Sequence, residues 1–155
     1  METFSESRPL IPRNLSLIIT AVLVCTIVFM AISPGLFDVD MPSWAVPVMC
    51  AVTAVAVAVC FLSYLKVEVD GETLRIFYIV VKVEIPLDQI IASRHGEINH
   101  IRNYGGYNLK GIKHKNYAAL GEDYGVAMKV KGKRVVSISS ARSEELFALL
   151  PNKEE

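Results

Sequence analysis

The sequence predicts a two-helix membrane hairpin followed by a mainly β domain that closes on an α-helix. Two long uncharged apolar runs lie before Lys66, the hydrophobic period changes from helical to two after Tyr64, and helical spacing returns near the C-terminus. Apolar residues make up 52% and charged residues 21% of the 155, close to a soluble domain. That average conceals a sharp division of the chain.

No charged residue occurs from Leu15 to Ile32 or from Ala45 to Leu65. Each run approaches the ~20 residues, rising 1.5 Å apiece, that cross ~30 Å of hydrocarbon. The predicted spans are about 15–32 and 45–65, forming a hairpin over 15–65. A cleaved signal peptide competes for the first run, since Ala31-Ile32-Ser33 has a small-x-small form. Its apolar region, however, would cover only about 7–15 residues.

Basic residues resist translocation, so their placement predicts orientation. The loop from Ser33 to Ser43 has none, the N-terminal segment has Arg8 and Arg13, and fourteen of the sixteen follow from Lys66 onward. Both termini are expected on the cytoplasmic side of the cell membrane, with two spans. Residues 1–14, with Pro9 and Pro12, read as a flexible cytoplasmic tail. Asn14 or Ser16 is a candidate cap for the first helix, and Ser33-Pro34-Gly35 reads as its breaker. Trp44 and Tyr64 mark the interfacial ends of the second span.

All three cysteines, Cys25, Cys50 and Cys60, fall in the apolar runs and read as small apolar residues rather than a metal or redox set. Cys50, Ala54 and Ala58 recur every four residues, matched by Ala21 and Cys25, a spacing that lets helices approach closely in lipid. Packing of the hairpin on itself is the favoured use; a homo-oligomer interface is the other.

Beyond Tyr64, β-branched and aromatic residues gather in short runs between turn signals. Strands are expected at Leu65 to Val69, Thr73 to Ile79, Val81 to Ile85, Ile90 to Ile98, Tyr107 to Ile112, Tyr117 to Leu120, Tyr124 to Val130 and Val135 to Ser139. Asp70-Gly71 and Lys131-Gly132-Lys133 supply hairpin turns. A final helix is expected after Ser140 as N-cap, with Glu144 and Glu145 near its positive end, Leu146, Phe147, Leu149 and Leu150 as its apolar face, and Pro151 as its stop. The β domain thus covers 66–151, with 152–155 as a tail.

Two helices followed by Gly105-Gly106-Tyr107-Asn108-Leu109-Lys110-Gly111-Ile112, Tyr124-Gly125-Val126-Ala127-Met128, the Lys131-Gly132-Lys133 turn and Ser140-Ala141-Arg142-Ser143-Glu144-Glu145-Leu146 resemble the prokaryotic membrane-anchored pleckstrin-homology-like proteins. The resemblance covers roughly Leu65 to Leu150. It implies a PH-like barrel of seven strands capped by the C-terminal helix, and no known enzymatic activity.

Phosphoinositide-binding members of that superfamily place basic residues around the first hairpin. Here that hairpin is Glu68-Val69-Asp70-Gly71-Glu72, whose carboxylates repel phosphate. A different basic cluster, Lys110, Lys113, His114 and Lys115, is the candidate anionic-lipid contact, at ~1 kcal/mol per basic side chain near a charged surface. A solvated loop is the competing reading, because the region from Lys66 onward carries fourteen basic and twelve acidic residues.

Gly105, Gly106 and Gly111 lack the strand-to-helix context of a phosphate-binding loop and read as a bulge or turn. Ser93, His95 and His100 lie near one another in sequence without an orienting acid, so a polar strand face is preferred to catalysis. The spans hold no Asp, Glu, Lys, Arg or His, which disfavours an autonomous transporter or channel. The expectation is a non-enzymatic, membrane-tethered interaction or scaffold module with no catalytic residues, cofactor, metal or nucleic-acid partner. It would act on a membrane or cytoplasmic protein. The alternatives are an anionic-lipid sensor and an accessory subunit of a membrane enzyme or transporter.

Overall fold

The computed structural model describes residues 3–37, 42–101 and 113–153. The chain divides into a helical unit, 11–63, and a β unit built from 1–10 together with 64–155.

The helical unit holds α1, Arg13–Phe37, and α2, Ala45–Leu62, both long and apolar enough to cross a membrane. The seam is apolar with a few small and polar members. Half-buried positions recur at Ile19, Leu23, Ile27 and Met30 on α1 and at Met49, Ala56 and Cys60 on α2, where Thr53 is buried. Cys50, Ala54, Ala58, Ala21 and Cys25 are exposed instead, so the small-residue stripes do not form this seam. Larger side chains fill it because the seam's 3–4-residue spacing falls on the neighbouring helical face.

The expected caps and breaker also differ. Asn14 and Ser16 lie inside α1, whose first turn closes through Ser16 N–H to the Pro12 carbonyl at 3.0 Å. Ser33-Pro34-Gly35 does not end α1, which continues to Phe37. The Ser33 hydroxyl donates to the Met30 carbonyl at 3.0 Å, while Thr20 and Thr26 donate to Ser16 and Val22 carbonyls at 2.8 and 2.9 Å. At the other end, α2 stops at Leu62, three residues short of the expected span, since Tyr64 and Leu65 already belong to a strand.

The first sheet is an antiparallel meander of β1, Thr3–Pro9, β2, Tyr64–Asp70, β3, Thr73–Tyr78, and β4, Val81–Pro86. β1 corrects the flexible-tail reading of residues 1–14. It pairs with β2 from Thr3↔Asp70 to Pro9↔Tyr64, buries Phe4, and ends at the proline. An edge strand tolerates that proline because its missing N–H interrupts no further ladder. β2 alternates buried Leu65, Val67 and Val69 with polar neighbours, as expected of a one-sided sheet.

The second sheet is ordered β5, Ile90–Glu97, β7, Tyr124–Val130, β8, Arg134–Ser139, and β6, Lys113–Tyr117, with β6 parallel to β8. Among the described residues there are thus two four-stranded sheets and no closed barrel. Turn signals specify hairpins, but barrel closure depends on pairing between distant strands. The strand expected at Tyr117 to Leu120 does not form: Tyr117 is the last residue of β6 and 118–120 run on as loop and turn, while Tyr107 to Ile112 lies outside the described residues. Four of the five β6 residues are exposed, so that strand lacks the apolar alternation that reveals the others.

β7 and β8 are buried on both faces. Ala92, Ala127 and Val135 cluster with Ile98 and Ile101 of the short helix α3, Ile98–Ile101. The terminal helix α4, Ser143–Leu149, packs on β5 and β7 through buried Leu146, with Leu150 buried just beyond it. Its N-cap position is Arg142 rather than Ser140, and no side chain caps it. The Ser140 hydroxyl donates to the Glu6 carboxylate and accepts from Arg142 N–H at 3.1 Å, just ahead of the helix.

Candidate functional site

Of the expected lipid-contact residues, Lys110 lies outside the described residues, while Lys113, His114 and Lys115 form the exposed start of β6. Strand alternation separates His114 from the two lysines. Register places Lys113 opposite Arg134, and Lys113 N–H donates to the Lys133 carbonyl at 3.0 Å. The β7–β8 turn therefore adds Lys131, Lys133 and Arg134 to the cluster, which the linear sequence separates from it. Gly132, at φ 86°, and Lys133, at φ 57°, make that turn. Among the described residues, none of these five cations forms an ion pair.

Hydrogen bonds locate this basic end within the β unit. Lys131 N–H donates to the Gln89 carbonyl at 2.9 Å, and Leu87 N–H donates to the Glu72 carbonyl at 2.8 Å. Glu72 belongs to the acidic β2–β3 turn beside Asp70. The far end of the same ladder is Pro9↔Tyr64, about 20 Å away over the six steps of β2. Basic and acidic turns thus share the end of the β unit remote from its two connections to the helices. Arg75 lies 3.8 Å from Asp70 and 3.7 Å from Glu84, tempering the acidic side.

An open groove of about 500 Å³ is lined by His95, Tyr124 and residues 141–145. His95 Nε2 is 3.0 Å from Ser143 Oγ, and its ring rests between Tyr124 and Phe147, with centroids 6.3 and 5.8 Å away. Ser93 shares the His95 face, as alternation predicts, but its hydroxyl donates to the Pro151 carbonyl at 2.9 Å and its N–H to Asn152. His100 is apart from both, on α3, 3.4 Å from Glu97. The polar face of β5 therefore fastens α4 and the segment behind it.

The His95–Ser143 pair is invisible in the sequence because its members lie 48 positions apart. A serine–histidine pair needs a third group to orient the imidazole for nucleophilic work. Among the described residues, no carboxylate bonds to His95. The nearby Glu145 is engaged by Arg142, whose Nε donates to it at 3.0 Å and whose hydrogen bond and charge hold that carboxyl below its ordinary pKa.

Among the described residues, no three His, Cys, Asp or Glu side chains converge as a metal site. No family model, curated protein or solved structure matches the chain.

Proposed function

We propose that this chain is a non-enzymatic, membrane-tethered interaction module whose β unit, PH-like in kind, stands on the cytoplasmic face of the cell membrane. The observation that carries the reading is the pairing of β1 with β2. β1 precedes α1 and β2 follows α2, yet their ladder runs unbroken from Thr3↔Asp70 to Pro9↔Tyr64. If the helices span, they must return the chain to the side on which it began. The lysine-free loop between them supports the cytoplasmic assignment of that side.

Tethering raises the effective concentration of the β unit for neighbours at the same surface. Its remote end, with Lys113, Lys115, Lys131, Lys133 and Arg134, suits an acidic protein surface, whether on a scaffolded protein or on an enzyme or transporter that the chain accompanies. The same cations also suit anionic headgroups, the second reading. A photocrosslinker at position 131 of the full chain in its native membrane tests these. Discrete protein adducts that Lys113→Glu and Lys133→Glu abolish, with membrane integration intact, support the module; adducts to lipid alone support the sensor.

A further inference from the structure

The turn joining β3 to β4 contradicts its own backbone chemistry. Tyr78↔Val81 closes a two-residue loop, Ile79-Val80, and Ile79 adopts φ 59°. Such loops favour Gly or Asn, because a Cβ, and still more a branched one, is disfavoured at positive φ. Here three consecutive β-branched residues occupy the tip, with Ile79 47%, Val80 93% and Val81 48% exposed. Scattered exposed apolar residues are ordinary; a contiguous apolar tip on a disfavoured turn calls for a nonpolar surrounding.

Chain connectivity indicates what surrounds it. Ile79 N–H donates to the Tyr64 carbonyl at 3.1 Å. Ser63 alone separates Tyr64 from Leu62, the last residue of α2, so about 7 Å of chain at most links the tip's anchor to the helix end. The neighbouring side chains follow the depth order of a membrane interface. Tyr64 and Tyr78 flank the tip, and one pair further along lie Lys66, Phe77 and Lys82, both Nζ atoms within 5.9 Å of the Phe77 centroid. Those lysines also pair with Glu68 and Glu84 at 2.6 and 2.7 Å. Apolar tip, aromatic collar and outer lysines match the sequence of acyl boundary, interface and headgroup layer.

We propose that Ile79-Val80-Val81 is an interfacial anchor, dipping into the acyl boundary of the bilayer that α1 and α2 cross. It adds an interfacial contact to the tether that the helices provide. The proposal rests on reading α1 and α2 as spans.

The test uses the full chain with Cys25, Cys50 and Cys60 replaced by alanine, reconstituted into phosphatidylcholine–phosphatidylglycerol vesicles. An environment-sensitive fluorophore is placed singly at Val80→Cys, Glu72→Cys or Val52→Cys. The label at 80 should be blue-shifted and quenched severalfold more than that at 72 by lipids spin-labelled near the headgroup, while aqueous iodide quenches 72. Iodide quenching at 80 equal to that at 72 overturns the anchor. So does shielding at 80 from both quenchers, which would mean a covering protein. The label at 52 separates the two failures: quenching there by lipids spin-labelled deep in the chain upholds the spans, and iodide quenching there removes spans and anchor together.

Discussion

The Ser33 hydroxyl lies 3.0 Å from the Met30 carbonyl, the acceptor that Pro34 leaves without its helical N–H. A proline inside a helix removes one i→i−4 hydrogen bond, and an apolar surrounding offers no water to replace it. The preceding serine supplies the donor, and α1 continues to Phe37. Ser33→Ala should cost about 1 kcal/mol of helix stability. In a Pro34→Ala background, where the backbone N–H is restored, the same change should cost little. A double-mutant cycle from thermal unfolding in detergent checks this, and additive losses would contradict it.

Glu6 ties the first strand to the turn before α4. Its carboxylate accepts from the Ser140 hydroxyl and from Ala141 N–H at 3.2 Å, and it pairs with Arg8 at 2.6 Å. Glu6→Ala should therefore destabilise the β unit by about 1–3 kcal/mol, chiefly because the part-buried Ser140 hydroxyl loses its acceptor. Deleting residues 1–10 should do more, exposing the β2 edge and promoting aggregation. A truncated chain with unchanged thermal unfolding and solubility would count against a structural β1.

The parts legible in sequence were those with a clean period. The charge-free runs announced α1 and α2, and alternation announced β2 to β5, β7 and β8. Thr3–Pro9 has one large apolar residue, Phe4, so a strand there looks like a polar tail. β6 is hidden by its lysines, which suit an exposed edge. Of the basic surface, sequence showed Lys113 and Lys115; the contribution of Lys133 and Arg134 needed the parallel register of β6 with β8. The small residues point to the wrong face for the α1–α2 seam because they repeat beside it at the same spacing.

Gly125 occupies a place that permits no side chain. A Cβ there would collide with the Ile138 carbonyl and with the Cδ1 of Ile98, and backbone cannot move aside cheaply. Gly125→Ala should cost about 1–3 kcal/mol through overpacking. At Gly96 the nearest atom to an added Cβ is the flexible Ile101 Cγ2 at 3.1 Å, so Gly96→Ala should cost less. Leu146→Ala, which empties a fully buried site under α4, should cost about 2–5 kcal/mol. Unfolding midpoints that ranked Gly96→Ala above Gly125→Ala in cost would refute this account.

Burial pushes the Tyr117 phenol above its ordinary pKa. A raised folded-state pKa means the native state holds the proton longer, so its contribution to stability is intact below about pH 10 and is lost as pH rises through the folded value. Unfolding midpoints should fall on the alkaline side, and Tyr117→Phe should flatten part of that fall. Equal alkaline slopes for the two proteins would remove Tyr117 as the cause.

If α1 and α2 span a membrane, the β1–β2 ladder makes their topology a consequence of strand pairing as well as of charge. Both ends of the hairpin must emerge on one side for Pro9 to face Tyr64, and the lysine-free loop between the spans should occupy the other. Reporters fused at residue 40 and at the C-terminus should therefore give opposite sidedness, with the C-terminal one cytoplasmic. Adding lysines to the loop makes the two determinants disagree. Inversion of the whole hairpin would keep the ladder, whereas loss of one span would place β1 and β2 on opposite sides and break it. The ladder thus predicts that charge can invert the protein but cannot leave it stably with a single span. A lysine-loaded variant that retained native unfolding behaviour with its termini on opposite sides would defeat this prediction.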